Sequence, residues 1–238
     1  MKQKNIAIVV AAGSGTRFGA STPKVFAECG GLPLIAHCLK TLESSEYIDQ
    51  VILVTGKDFI DYCQTEIVAK YKFRKVEMVV PGGKERQDSV REGLKNIYQS
   101  PNRVLIQDGA RPFLSEAMIA ATIEGCQSTD GAVIGTKITD TIKQVKDDMT
   151  IQHTVPRQML WAVQTPQTFK FEVLIEAYQW AFDSGITWTD DAGLVEQFGK
   201  KVTIIPGVSH NIKVTTPEDL VMAQLIWDYH AKQDGKSL

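Results

Sequence analysis

The sequence has no excess of one charge: its 238 residues carry 26 lysines and arginines against 28 aspartates and glutamates, a formal net charge of −2. Proteins that bind long nucleic acids or anionic membranes usually concentrate basic residues over a surface. A charge this close to zero gives no indication of such a surface, so neither nucleic acid nor a membrane is expected as a partner. Any phosphate-bearing ligand is expected to be a small molecule held at a local site.

The chain also lacks closely spaced cysteines and long apolar runs. Its four cysteines, Cys29, Cys38, Cys63 and Cys126, lie far apart with no C-x-x-C pair. This spacing fits neither a zinc site nor a dithiol redox motif, and it predicts reduced, mostly buried thiols. Near the N-terminus the apolar run covers only residues 6–10, too short for a signal peptide or a membrane span. We therefore expect a cytoplasmic protein.

What the sequence does contain is a series of short apolar runs separated by segments of helical periodicity. The runs cover residues 6–10, 51–54, 76–80, 104–106, 132–134 and 202–205. Such alternation is typical of βαβ units, which build a mostly parallel sheet flanked by helices. We predict a Rossmann-like α/β fold, with residues 1–238 forming a single domain.

Two segments depart from this alternation. Residues 139–157 alternate apolar and polar side chains around Asp147 and Asp148, which predicts a β-hairpin that projects as an arm over residues 138–157. A second copy of the chain would bury its apolar face, or the hairpin folds back on its own domain. Residues 211–215 indicate a short strand, followed by a helix with Thr216 as N-cap and Pro217 as first residue.

Residues 9–24 (VVAAGSGTRFGASTPK) place a glycine-rich loop after the first predicted strand. In such a loop, backbone amides can approach an anion, and Arg17 and Lys24 add positive charge. The third glycine comes one residue too late for the dinucleotide motif G-x-G-x-x-G, and no Walker A motif is present. The loop therefore favours a nucleoside triphosphate. The residues expected at the nucleotide are Ala11, Ala12, Gly13 and Gly15.

Polar residues follow several of the other predicted strands. Asp108 comes after the run 104–106, at a strand end where ligands gather, and it suits either Mg²⁺ or a turn. Arg111 precedes Pro112 in a stiff turn and suits a phosphate or a carboxylate. Thr165 precedes Pro166, which forces it into extended geometry, at a substrate or in a structural turn. For Asp190 and Asp191 we expect helix capping.

Several motifs in order along the chain resemble those of one family of nucleotidyltransferases. Besides A-A-G-x-G-x-R they are GGKERQDS at 82–89, DGARP at 108–112, DTIK at 140–143, LW at 160–161, QTPQ at 164–167, TDDA at 189–192 and NIKVT at 211–215. Together they resemble the 2-C-methyl-D-erythritol 4-phosphate cytidylyltransferases of the non-mevalonate isoprenoid pathway.

The resemblance implies transfer of the cytidylyl group of CTP to a polyol phosphate, with Mg²⁺ as cofactor. It makes Arg17, Lys24 and Lys213 the catalytic cations and Asp108 the metal ligand. It implies that Gly83, Arg86 and Ser89 read the cytosine. The residues assigned to the second substrate are Arg111, Thr141, Arg157 and Thr165. In the family the arm reaches across a homodimer, so Thr141 and Arg157 would serve the neighbouring subunit.

Two positions depart from the family's pattern and leave a second substrate open. Lys84 and Pro156 stand where the family more often has acidic residues. The runner-up is the related enzyme that makes CDP-ribitol from ribitol 5-phosphate, although Trp161 and the paired Asp190 and Asp191 resemble the methylerythritol enzymes more. A non-catalytic CTP-binding module is a third reading, in which loss of Arg17, Lys24 or Asp108 would be expected, and all three are present.

Overall fold

A seven-stranded mixed sheet is the centre of the molecule, whose computed structural model describes residues 4–13 and 23–233. In order across the sheet the strands are Val202–Pro206 (β11), Gly131–Lys137 (β7), Trp161–Lys170 (β10), Arg103–Asp108 (β6), Asn5–Ala11 (β1), Gln50–Thr55 (β4) and Val76–Pro81 (β5). Two small antiparallel pairs lie outside this sheet: Glu28–Cys29 (β2) with Leu32–Pro33 (β3), and Ile142–Val145 (β8) with Ile151–Val155 (β9).

Helices cover both faces of the sheet. They are Leu34–Ser44 (α1), Ile60–Tyr62 (α2, continued by a π-helical turn Cys63–Ala69), Arg86–Lys95 (α3), Glu116–Gly125 (α4), Phe171–Ser184 (α5), Asp191–Gln197 (α6) and Pro217–Gln233 (α7). Successive side chains of β1 point to opposite faces of the sheet. Ala7 and Val9 belong to the core beneath α1 and α4, whereas Ile6 and Ile8 belong to the core beneath α3 and α5. The predicted α/β fold is confirmed.

The sheet is parallel except for one strand. All six predicted apolar runs form strands, and the pairs β1/β4, β1/β6, β4/β5 and β11/β7 are parallel. The exception, β10, lies antiparallel between β6 and β7 and was not predicted. Its polar stretch QTPQ at 164–167 leaves the strand without an apolar run. The pairing with β7 is interrupted between Val163 and Gln167, where the register shifts, and Pro166 lies in this irregular stretch.

The predicted hairpin is confirmed, and the predicted strand at 211–215 is wrong. β8 and β9 form the hairpin, with Asp147 and Asp148 in its turn. Residues 211–215 have no regular structure, although the Val214 amide donates to the carbonyl of Ala110 at 2.9 Å. The helix that follows starts as predicted, at Pro217.

The burial of the cysteines agrees with the prediction made from their spacing. All four cysteines fall within the described residues and are buried and free of disulfides. No helix in the described part of the chain has the length and apolarity needed to cross a bilayer.

Candidate active site

Asp108 is the last residue of β6 and the centre of the site. Its side chain is nearly buried, and three cations surround it. Nζ of Lys213 lies 2.7 Å from Oδ2, Nε of Arg86 lies 3.0 Å from Oδ1, and Nε of Arg111 lies 3.9 Å from Oδ2. The backbone amide of Asp108 donates to Thr165 Oγ1 at 3.1 Å. In open α/β sheets ligands bind at the carboxyl ends of the parallel strands, where this group lies.

Arg86, the first residue of α3, joins Asp108 to a second buried carboxylate. Its Nη2 lies 2.8 Å from Oδ2 of Asp191, a side chain with no exposed surface. Tyr178 of α5 donates its hydroxyl proton to Oδ1 of Asp191 at 2.5 Å. We call this group the Asp108 cluster; its members are Asp108, Arg86, Arg111, Lys213 and Asp191.

The cluster keeps Asp108 ionised despite its burial. Burial disfavours the charged carboxylate, but Arg86, Lys213 and Arg111 outweigh that effect and hold the pKa of Asp108 well below its usual range. Burial likewise opposes the charge of Arg86, and Asp191 and Asp108 reverse this and raise its pKa. Three cations face two carboxylates, so one positive charge is left over and the cluster favours an anionic ligand.

Lys213 lies in a segment without regular structure, and hydrogen bonds of the neighbouring Asn211 fix this segment in place. Two residues before it, Asn211 is fully buried, and its Nδ2 donates to the carbonyl of Thr165 at 3.0 Å. Nη1 of Arg111 donates to the carbonyl of Asn211 at 2.7 Å. These bonds fasten the segment to the ends of β6 and β10 and bring Lys213, Arg111 and Thr165 together at Asp108, as the resemblance implied for one site.

The turn at residues 82–83 connects β5 to α3 and packs tightly against the first strand. A Cβ placed on Gly82 would lie 2.3 Å from the Cβ of Ala12, so only glycine allows this approach. Oγ of Ser89 accepts from the amide of Gly83 at 3.2 Å and donates to the carbonyl of Glu85 at 3.1 Å. Ser89 therefore holds the turn beside the glycine-rich loop and keeps one acceptor lone pair for another partner.

The described part of the glycine-rich loop borders a pocket of about 260 Å³ at the ends of β1 and β4. Its lining residues are Ala11, Ala12, Gly13, Pro23, Gly56, Asp58 and Phe59. Lys24 begins a 3-10 turn whose next two residues, Val25 and Phe26, are buried and anchor it. Gly15 and Arg17 lie outside the described residues.

Thr141 precedes β8 and Arg157 follows β9, so both lie at the base of the hairpin, and both are exposed. The guanidinium of Arg157 donates through Nη1 to the carbonyl of Thr139, which fixes it at the base of the arm. No hydrogen bond or ion pair within residues 4–13 and 23–233 connects either side chain to the Asp108 cluster.

Residues 5–228 match the family model described as IspD, 2-C-methyl-D-erythritol 4-phosphate cytidylyltransferase. The chain belongs to this family. A cytidylyltransferase of that name from Alkaliphilus metalliredigens is 42% identical over 229 residues, which cover 96% of this chain and 94% of the relative. One from Syntrophus aciditrophicus is 38% identical over 236 residues, covering 99% and 100%.

Solved structures agree with this assignment. The 4-diphosphocytidyl-2C-methyl-D-erythritol synthase of Anaerococcus prevotii is similar with a TM-score of 0.84 and 34% identity, covering 95% of this chain and 96% of that one. The cytidylyltransferase of Thermus thermophilus gives 0.75 and 28%, covering 95% and 98%. As a member of the family, the chain is a CTP-dependent nucleotidyltransferase of non-mevalonate isoprenoid synthesis.

In this cytidylyltransferase, sequence reasoning missed two residues of the charged network. Asp190 is the predicted N-cap of α6, its Oδ1 accepting from the amide of Gly193 at 3.0 Å. Asp191 was also expected to cap, and this is wrong, because its carboxylate is the buried partner of Arg86. Tyr178 gave no signal, since a tyrosine in an amphipathic helix is indistinguishable from a core residue. In the sequence, the paired acids of TDDA at 189–192 were the one feature that pointed to this charged network.

Proposed function

We propose that this chain transfers the cytidylyl group of CTP to 2-C-methyl-D-erythritol 4-phosphate at the Asp108 cluster. The observation that carries the proposal is one ionised, buried carboxylate surrounded by three cations at a strand end, next to the glycine-rich loop. Negative charge develops on the α-phosphate and on the departing pyrophosphate, and fixed cations stabilise it without reorganising during the reaction.

Lys213 is the cluster cation best able to move onto a substrate phosphate. Its side chain is 37% exposed, against 23% for Arg86 and 11% for Arg111. Lys213 therefore exchanges its contact with Asp108 for a phosphate oxygen, while the two arginines remain in place. Lys24 and Arg17 add positive charge from the glycine-rich loop, and Arg111 and Thr165, which both contact Asp108, would bind the phosphate of the second substrate.

The residues present fit Mg²⁺ held largely by substrate. This ion is usually bound through one or two carboxylates plus phosphate oxygens. In the described chain, no three His, Cys, Asp or Glu side chains converge to form a protein cage. Asp108 is ionised, so it would hold the ion through one carboxylate oxygen. When bound, Mg²⁺ neutralises charge on the triphosphate.

The cytosine is assigned to the turn that precedes α3. The main chain of Gly82 packs against Ala12, so this turn lies beside the glycine-rich loop where the nucleotide is expected. Arg86 and Ser89 lie in the first turn of α3, directly after this turn, and Ser89 supports the turn through the hydrogen bond it accepts from the amide of Gly83.

The reaction is an in-line displacement. A phosphate oxygen of the polyol phosphate attacks the α-phosphorus of CTP, the new P–O bond forms, and the bond to pyrophosphate breaks. The phosphate is already ionised at neutral pH, so the step needs no protein base. Positioning and electrostatic stabilisation are what the residues contribute.

The arm would complete the site in a homodimer. Among residues 4–13 and 23–233 its strands pair only with each other, and it exposes apolar side chains, Met149 at 77% and Ile151 at 62%. A two-fold contact would bury them. Thr141 and Arg157 would then bind the polyol phosphate in the neighbouring subunit.

Pyrophosphate release with CTP and Mg²⁺ tests the reaction and its substrate together. We expect turnover with 2-C-methyl-D-erythritol 4-phosphate and little with ribitol 5-phosphate or a hexose 1-phosphate. Lys24→Ala should lower kcat severely in a folded protein. Faster turnover with ribitol 5-phosphate would assign the runner-up activity, and near wild-type kcat in Lys24→Ala would contradict the site.

A further inference from the structure

Two adjacent aspartates at the start of α6, Asp190 and Asp191, bind different partners. Asp190 caps the helix through the amide of Gly193. Asp191 takes no part in that cap. Its carboxylate lies between the hydroxyl of Tyr178 and Nη2 of Arg86. The second acid is therefore unnecessary for the helix end.

The guanidinium of Arg86 is fixed at two of its nitrogens by two different carboxylates. Nε contacts Asp108 at 3.0 Å and Nη2 contacts Asp191 at 2.8 Å. A guanidinium is planar and rigid, so two such contacts fix both its position and the orientation of its plane. Without Asp191, Arg86 would be free to pair with Asp108 through both nitrogens and compete there with Lys213.

The backbone around this pair is fastened independently. Gln87, next to Arg86, donates through Nε2 to the carbonyl of Ile186 at 3.0 Å and accepts from the amide of Trp188 at 2.9 Å. Two hydrogen bonds and one ion pair thus join the first turn of α3 to the segment that leads into α6.

We propose that Asp191, oriented by Tyr178, is a positioning residue for nucleotide binding, which holds Arg86 beside Asp108 in the geometry that receives CTP. This inference deepens the proposed function and rests on it. Asp191 does not touch substrate; it acts through Arg86.

Burial of these groups argues for a role beyond stability. Asp191 and Tyr178 are 0% and 4% exposed, so the charge of Asp191 is removed from water, and Arg86, its partner, is partly buried. Replacing a buried ion pair with apolar residues of similar volume is often neutral or stabilising. Stability alone would therefore be served as well by apolar residues as by this linked tyrosine, two carboxylates and arginine.

The test measures kcat and KM for both substrates, CTP affinity by titration calorimetry, and Tm. Asp191→Asn keeps the side-chain shape and removes the charge, and Tyr178→Phe removes only the hydroxyl. We expect Asp191→Asn to weaken CTP binding and kcat/KM for CTP by about 10- to 100-fold, a loss common for residues that orient a ligand group. KM for the polyol phosphate should change by less than about twofold. Tyr178→Phe should show the same pattern at a smaller size.

Asp190→Ala is the matched control because it removes the adjacent cap and leaves Arg86 untouched. It should lower Tm by a few degrees and leave kcat/KM for CTP within about twofold. A double-mutant cycle with Arg86→Met completes the design. If Asp191 acts through Arg86, Asp191→Asn should have almost no further effect on CTP binding in the Arg86→Met protein.

Three outcomes would overturn the inference. If Asp191→Asn and Tyr178→Phe lower Tm only, as Asp190→Ala does, the pair is purely structural. An equally large effect of Asp191→Asn in the Arg86→Met protein would show that it acts by another route. If Asp191→Asn does not fold, unchanged CTP affinity in Tyr178→Phe is decisive. A wild-type protein that releases no pyrophosphate would instead refute the proposed function.

Discussion

The Asp108 cluster and the arm are both assigned to substrate, yet they are built in opposite ways. The cluster joins the ends of β6, α3 and α6 to the segment of Lys213; its two carboxylates are buried and its three cations are partly buried. The hairpin β8/β9 is exposed along almost its whole length, and in the part of the chain that the structure describes its strands pair only with each other.

On the proposed assignment, this difference separates the part of the site that one chain would complete alone from the part that would need a second chain. Within the cluster, each charged group has its partner at a fixed distance, so its geometry exists before any ligand arrives. On the arm, Arg157 is fixed only at the base, through the carbonyl of Thr139. A binding surface made of an isolated hairpin needs a second surface, whereas the cluster does not.

Removing a charge from the cluster should have the largest effect. We expect Lys213→Met to lower kcat by about 10²- to 10³-fold, because a preorganised group facing the developing charge is lost. Tm should stay within a few degrees, since Asp108 keeps both arginines. Steady-state pyrophosphate release and a thermal melt measure the two quantities. Retention of most of kcat would remove Lys213 from the reaction.

Removing a charge from the arm should affect one substrate only. Arg157→Ala should lower kcat/KM for the polyol phosphate by about 10- to 100-fold, the worth of one hydrogen bond to a charged group. KM for CTP should be unchanged, because the CTP residues lie in the body of the chain.

Mixing two impaired proteins then tests whether subunits share their sites. Arg17→Ala and Arg157→Ala subunits, combined after demonstrated exchange, should recover part of the wild-type activity, since one site of each hybrid has both arginines. If exchange occurs and activity does not return, each chain supplies its own arm residues.

Substitutions that change the backbone should have smaller effects, and these effects on stability should differ between the body and the arm. Gly82→Ala would place a Cβ 2.3 Å from Ala12, so we expect it to lower the free energy of unfolding by about 1–3 kcal/mol. Met149→Gly is the comparison on the arm, where Met149 has a φ of +63° in an exposed turn. It should change stability by less than about 0.5 kcal/mol. Urea unfolding of both variants measures the contrast.

Lowering the pH should produce the smallest difference in stability between the Asp108 cluster and the arm. The lowered pKa of Asp108 contributes stability that is fully present above the unfolded value of about 3.9 and is lost as pH falls through the lower folded value. Lys213→Met should reduce this loss below about pH 4, because the folded pKa rises towards the unfolded one. The pKa of Asp148 on the arm is also lowered, by the side chain and amide of Thr150, but this aspartate is fully exposed. Asp148→Asn should leave the urea midpoint unchanged from pH 3 to 7, and an equal response in both variants would contradict the comparison.

Regular patterns in the sequence predicted most of the fold. Apolar runs located six of the seven sheet strands, and strict alternation located the arm, because both signals are local. The strand β10 was missed because its residues are polar where the sheet meets the site, and only its neighbours β6 and β7 make it a strand. At 211–215, alternation predicted a strand, but side-chain bonds of Asn211 hold that segment instead.

The candidate site was predicted from charge types and strand ends, without its pairings. Asp108 was found because it follows an apolar run, and its position at the end of a strand is local information. That Asp191 faces Arg86 depends on how α6 packs against α3, a contact between residues about a hundred positions apart. No periodicity in one sequence reports such a contact.

The arm also has a single point of attachment. β7 and β10 are neighbours in the sheet, paired up to Lys137 and Trp161, and the amide of Ile138 donates to the carbonyl of Leu160 at 3.1 Å. Residues 139–159 therefore leave and rejoin the body at one closed pair of backbone positions, as an interchangeable module would. Its length and sequence can vary without moving any strand that carries the chemistry. In such a molecule the choice of acceptor and the machinery of transfer can evolve at different rates.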